Sequence, residues 1–190
     1  VGTNEVVAGE IDNGFTDWWL LYVNGGSSRA TQNGATLVSE TIGPVMAVNT
    51  WSHVCGTFGS NSNRISYTNG VASATDTTTV DAPATASFGI GGSPALPTLL
   101  PWQGSLSNVA IWNVALSADE VQTLAQGVSP LRLRRDSLVR YWPMNRLTGA
   151  ERDIVGAFNM PEVNGPIAAA DEPIPTAGVP FAFAGRVAAF

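Results

Sequence analysis

The chain contains no lysine; all nine of its basic residues are arginine, set against 15 acidic ones. A surface that neutralises nucleic-acid phosphates needs a basic surplus, and a net charge of −6 is the opposite, so no nucleic-acid partner is expected. Cysteine occurs once, as Cys55, which rules out an intrachain disulfide as the staple of the fold. Histidine also occurs once, as His53, and no zinc-ligand spacing, nucleophile elbow or phosphate-cradling glycine loop is present. No apolar run approaches the length of a membrane span and no signal-peptide pattern is visible, so no membrane partner is expected either. A start at Val1 without Met fits processing or a longer polypeptide equally well.

Charge is scarce throughout, at 13% of residues against 44% apolar, which is the reverse of the balance that keeps a chain disordered. A length of 190 residues allows one sizeable core. The 20 glycines and 12 prolines are spread along the chain, as many short strands and turns require. Strands are expected over 5–11, 18–23, 29–32, 36–41, 51–58, 64–68, 71–74, 87–90, 104–112 and 138–144. Asn24-Gly25-Gly26, Asn33-Gly34 and Asn69-Gly70 mark hairpin turns, because successive positive φ angles cost least in Asn and Gly. Strands at this spacing point to an all-β sandwich or barrel.

One helix is expected after Leu116. Ser117 and Glu120 stand at the two ends of a capping box, Leu116 and Val121 at those of a hydrophobic staple, and Gly127 at a left-handed stop. Too short to persist alone, this helix is expected to plug an edge or end of the sandwich. From Asp171 onward, Pro173, Pro175 and Pro180 interrupt a run of Ala, Val and Phe. Proline removes ladder donors, so residues 171–190 read as an extended apolar arm and not a central strand. Phe181, Phe183 and Phe190 suit docking, either onto the chain's own domain or onto a neighbouring subunit.

Among chemically capable residues, Cys55 lies in an apolar run and reads as a small core residue. His53 would share its strand face, but nothing nearby orients a Cys–His pair. Arg132, Arg134, Arg135 and Arg140 form the one basic cluster, a solvated face or else a patch for an anionic partner.

The run Asn49-Thr50-Trp51-Ser52-His53-Val54 resembles a strand of laminin-G-like, concanavalin A-like jelly rolls. Arg64 to Val71, with Asn69-Gly70 at its turn, resembles the hairpin of the same family, and Gly89-Ile90-Gly91-Gly92 its glycine-rich strand end. Gly104 to Asn113 followed by Ala115 to Val121 resembles its most extended signature. These pieces fall in the family's order between residues 5 and 145. The resemblance implies an antiparallel β-sandwich jelly roll over 1–145, with N-terminal strands missing or replaced by another segment. An extension over 146–170 would then pack on the sandwich, ahead of the arm at 171–190. It also implies a core of Trp51, Val54 and Phe58 with Leu106, Val109 and Ile111, and a partner for the Trp112 ring N–H. Leu138 to Met144, then Asp153 to Gly156 and the arm, resembles laminin-G-like proteins of tailed phages.

Three functions follow from the resemblance. The first is a non-enzymatic structural module on a virion surface, as a capsid decoration or tail component, oligomeric and bound to neighbouring virion proteins. The second is a secreted or cell-surface carbohydrate-binding domain. Adjacent Trp18 and Trp19 would point to opposite faces, one core and one outward, and Trp102 is a second outward candidate for a sugar or a protein contact. The third is a glycoside hydrolase. Glu10-Ile11-Asp12 resembles the start of the acidic motif of hydrolases on this fold, but residues 13–15 are Asn, Gly and Phe, so the second catalytic acid is missing and no catalysis is expected. Many relatives hold calcium, and Asp12, Asp17, Asp76 and Asp81 lie in turn-like places, but no spacing groups them into a site.

Overall fold

Largely buried strands joined by tight turns build two antiparallel sheets and a two-stranded ribbon. The computed structural model describes residues 4–12, 16–34, 37–82, 84, 87–92, 101–146, 149–162 and 186–189. Strands β1 (Glu5–Ile11), β2 (Trp18–Asn24), β3 (Ser27–Gly34) and β4 (Leu37–Val45) follow one another as hairpins. Next come β5 (Ser52–Ser60), β6 (Asn63–Thr68), β7 (Val71–Ala72), β8 (Ser87–Ile90), β9 (Gly104–Ser107) and β10 (Val109–Trp112). Helix α1 (Ala118–Ala125), β11 (Leu138–Trp142) and β12 (Arg186–Ala189) complete the order. One sheet runs β4-β3-β2-β1-β8, the other β7-β6-β5-β12-β9, and β10 pairs with β11 as a separate ribbon. The architecture is a β-sandwich jelly roll, as the sequence predicts.

The sheets meet over two kinds of surface. Val7, Leu21 and Val23 of the first sheet pack with Met46 and with Val54 of β5, bordered by Leu106 and Trp102. On the β3–β4 side the seam is polar. The Ser28 hydroxyl bonds those of Ser66 (2.9 Å) and Thr68 (2.8 Å), and the Thr41 and Ser73 hydroxyls bond each other. Small side chains let the backbones close in: a Cβ on Gly43 would fall 2.5 Å from Ser28 Oγ.

Arg64 is the centre of this seam, with 0% of its surface exposed. Its Nε and Nη2 donate to Asp76 Oδ2 at 3.0 and 2.9 Å. Nη1 donates to Gln32 Oε1 (2.9 Å) and to the Asn61 carbonyl (3.0 Å), and Nη2 also donates to the Thr78 carbonyl. All five guanidinium N–H groups therefore meet an oxygen. Gln32, on the opposite sheet, turns its amide nitrogen to the Val80 and Asp81 carbonyls. One side chain thus joins both sheets to the 73–81 segment.

The ribbon β10–β11 packs on both faces. Val109 and Trp142 pack with Ala8, Phe88 and Ile90, and the Phe88 and Trp142 rings stack at 5.4 Å. Ala110, Trp112 and Tyr141 pack with Cys55, Tyr67, Leu116, Val121 and Leu124. The expected core is thereby corrected. Val54 does meet Leu106, but Val109 and Ile111 pack against Ala8 and Trp142 instead, and Trp51 is half-buried just ahead of β5. The cause is Asn108, whose left-handed φ of 58° breaks the expected 104–112 strand, so that β9 and β10 join different sheets. The Trp112 ring N–H donates to the Leu133 carbonyl at 3.1 Å.

Helix α1 forms as its sequence dictates. Ser117 Oγ accepts the Glu120 N–H, and Glu120 returns a bond to the Ser117 N–H. Gly127 (φ 115°) donates to the Leu124 carbonyl and Val128 to that of Thr123, the paired bonds of a Schellman stop. The helix lies over the β6–β7 turn, where Asn69 and Gly70 both take positive φ.

Two further expectations change. Asn33-Gly34 is no turn; both residues lie in β3, and Gly34 pairs with Leu37. Gly34 instead permits a close approach, because a Cβ there would sit 2.3 Å from the Asp81 carbonyl oxygen. The arm ends in a central strand, since Arg186–Ala189 pairs antiparallel with both β5 and β9. Those four residues follow the last proline and keep every N–H, so both ladders can form. Phe181, Phe183 and Phe190 lie outside the described residues.

Burial alone would raise the Asp76 carboxyl, but bonds from Ser39, Thr78 and Arg64 outweigh it and hold it down at about 2. Its stabilisation is complete above the unfolded value near 4 and is lost as pH falls from there towards 2. Asp76→Ala strands a buried cation and should lower stability by about 3 kcal/mol in urea unfolding, with a flatter stability profile over that pH window. Arg64→Met combined with Asp76→Leu should recover much of the loss.

Candidate functional site

Of the acidic motif at the end of β1, the Asp12 carboxylate is engaged in a turn. Asp12 accepts the Thr16 N–H (2.8 Å), the Thr16 hydroxyl (2.9 Å) and the Asp17 N–H (3.0 Å), so its carboxylate closes the turn into β2. Glu10 pairs in register with Trp19 on one side and Phe88 on the other. The calcium candidates are likewise engaged or dispersed. Asp76 is spent on Arg64, and Asp81 offers its main-chain carbonyl to Gln32. Among the described residues, no three His, Cys, Asp or Glu side chains converge as metal ligands.

Cys55 is a core residue packed against Tyr67 and the β10–β11 ribbon, and burial pushes its thiol far above the ordinary range. His53 serves the β6–β7 turn through its backbone: its N–H donates to Asn69 Oδ1 (2.8 Å) and its carbonyl accepts the Asn69 N–H (2.7 Å).

Two of the four clustered arginines have acidic partners. Arg134 bonds Glu120 of α1, and Arg140 lies 3.5 Å from Asp153 with its guanidinium over the Phe158 ring. Arg132 and Arg135 are exposed on two short 3-10 turns. Asp153 anchors the segment after β11. It accepts N–H groups from Tyr141, Val155, Gly156 and Phe158, and these bonds outweigh burial and lower its carboxyl.

The tryptophans are tied down by packing. Trp18 and Trp19 do point to opposite faces, but neither is fully core. Trp18 is half-buried, and Trp19 is 38% exposed at the rim of the inter-sheet face, where its ring stacks on Phe58 at 6.0 Å. Trp102 is half-buried against the Val7 cluster.

The surface that sequence reasoning missed is aliphatic. Strand β4 stands at the edge of one sheet and β7 at the edge of the other, and the two lie against each other. Val38 (53% exposed), Ile42 (51%) and Val45 (73%) on β4 are open to solvent, as are Val48 in the next loop and Val71 on β7. No charged residue occurs between Glu40 and Arg64, or between Arg64 and Asp76. The flanking charges are paired: Glu40 takes Arg29 and the Tyr22 hydroxyl, and Asp76 takes Arg64. The long uncharged interval was the available signal, but it reads as ordinary strand until the topology places it on an edge.

Because its thiol is both buried and raised, Cys55 should resist a thiol reagent such as dithionitrobenzoate in the native protein and react fully in denaturant. Fast native labelling would contradict this placement.

No curated protein and no solved structure matches the chain. A family model described as the concanavalin A-like lectin/glucanases superfamily, of laminin-G type, matches residues 2–122. The match takes in the strands from β1 to β10 and the start of α1, and stops short of β11 and β12. With most of the sandwich inside the match, the chain belongs to the concanavalin A-like lectin/glucanases superfamily.

Proposed function

We propose that this chain is a non-enzymatic attachment module that binds a protein partner through the uncharged β4–β7 side of its sandwich. The observation that carries the reading is the open row of Val38, Ile42, Val45 and Val71, flanked only by charges that are already paired. Aliphatic side chains have no π face to stack on a sugar, but they pack well at the core of a protein interface. Asp12, of the acidic motif that resembles hydrolases, is engaged in its turn, and Cys55 lies in the core. The resemblance of residues 138–156 to phage-encoded members supports a virion surface as the setting, with the partner a capsid or tail protein.

Carbohydrate binding is the second reading, and the exposed Trp19 ring favours it. The two readings separate by paired substitutions. Val45→Asp with Val71→Asp should abolish association with purified particles or their shell proteins and leave a glycan-array profile unchanged. Trp19→Ala should leave particle association intact. Glycan binding that is lost with Trp19→Ala and kept in the valine variant would establish the lectin reading instead.

A further inference from the structure

We infer that the gap between β5 and β9 is a strand-acceptor cleft that recognises one extended peptide through its main chain. Residues 186–189 occupy it as a tethered ligand, which an equivalent strand on a separate chain can replace. The cleft does not use the β4–β7 side and stands independently of the attachment reading.

Strand β12 enters the middle of its sheet. It pairs with β5 through Arg186–His53 and Val187–Ser52. It pairs with β9 through Arg186–Ser107, Val187–Leu106, Ala188–Ser105 and Ala189–Gly104. Among the described residues, β9 pairs with no other strand, and β5 and β9 do not pair with each other. The chain leaves this sheet at Asn108, so β12 is what joins β9 to β5 there. Ser52, His53 and Ser107 are buried, so main-chain groups that face the gap cannot turn to water instead. They require a strand, whichever chain supplies it.

The ligand class follows from what lines the gap. Four of the six residues paired with β12 are Ser52, Gly104, Ser105 and Ser107, too small to read a side-chain sequence. Recognition therefore falls to the backbone, as in strand addition to a sheet edge, but here from two sides. Such a site takes an extended segment that keeps its N–H groups and rejects proline. Residues 181–190 contain no proline. The occupant is also separable from the body. Its ladder is four residues long, residues 163–185 lie between it and Glu162, and the family match ends at residue 122. The covalent link raises the local concentration of the strand but adds no bond within the cleft.

The test starts from the full chain with a protease recognition sequence inserted between Gly165 and Pro166, cut after folding. Circular dichroism before cutting confirms that the insertion is tolerated. The C-terminal fragment should stay with the body through gel filtration, and a labelled peptide of residues 184–190 should then replace it. By fluorescence anisotropy, that peptide should bind the cut protein at least about tenfold more tightly than the uncut chain, where the tethered strand competes. The same peptide with Val187→Pro and Ala188→Pro lacks one donor towards each side and should not bind. Hydrogen exchange on the unaltered chain needs no variant: the β9 amides that face β12 should be protected. A fragment that leaves unaided, a fragment that no peptide replaces, a proline peptide that binds equally well, or unprotected β9 amides each overturns the inference.

Discussion

A buried guanidinium cannot be left unsatisfied, and much of this sandwich is arranged around that requirement. Arg64 has no access to water, so its five N–H groups must find oxygens within the protein. The oxygens come from three parts of the chain: the Asp76 carboxylate and Thr78 carbonyl, the Asn61 carbonyl at the β5–β6 turn, and Gln32 on the opposite sheet. Supplying them fixes the path of residues 73–81 along β6. It also sets the distance between the sheets, which the Ser28, Ser66 and Thr68 hydroxyls and the bare Gly43 then fill. A pair of this kind adds less to stability than apolar packing of equal volume, but it penalises any other register steeply.

The C-terminal third works by a similar device at Asp153. Four backbone N–H groups converge on one carboxylate and hold the segment after β11 against that strand, while the Trp142 ring N–H reaches the Phe158 carbonyl. The aromatic ribbon β10–β11 is thus covered by chain that lies beyond the family match.

Local chemistry was legible in the sequence wherever a short motif determines it. The capping box at Ser117 and Glu120, the Gly127 stop, the Asn69-Gly70 turn and the burial of Cys55 all depend on neighbours within a few residues. The sandwich was legible because strand spacing and four ordered motifs agreed. What escaped depends on distant partners. Asn33-Gly34 looks like a turn until Asp81 is known to press against it. Residues 104–112 look like one strand until Asn108 is seen to bond Tyr141 across the ribbon. The prolines of 171–180 suggested an unpaired arm and concealed the donor-complete residues at 186–189. Of the described candidate site residues, Trp19 is the aromatic that stands open, Arg134 and Arg140 lie beside local acids, and Arg132 and Arg135 are exposed. The aliphatic edge went unread because exposure of a valine is a property of topology, not of its neighbours in sequence.

Strand β12 has a consequence for how the molecule comes into being. It inserts between β5 and β9, matching Arg186 with His53 across most of the chain. Contacts of such long sequence separation are slow to form, because loop closure must precede the ladder that rewards it. During synthesis, β5 and β9 leave the ribosome well before the strand that joins them. Until residues 186–189 follow, both present bare edges, and the nascent chain passes through an interval in which sticking to other chains competes with finishing its own sheet.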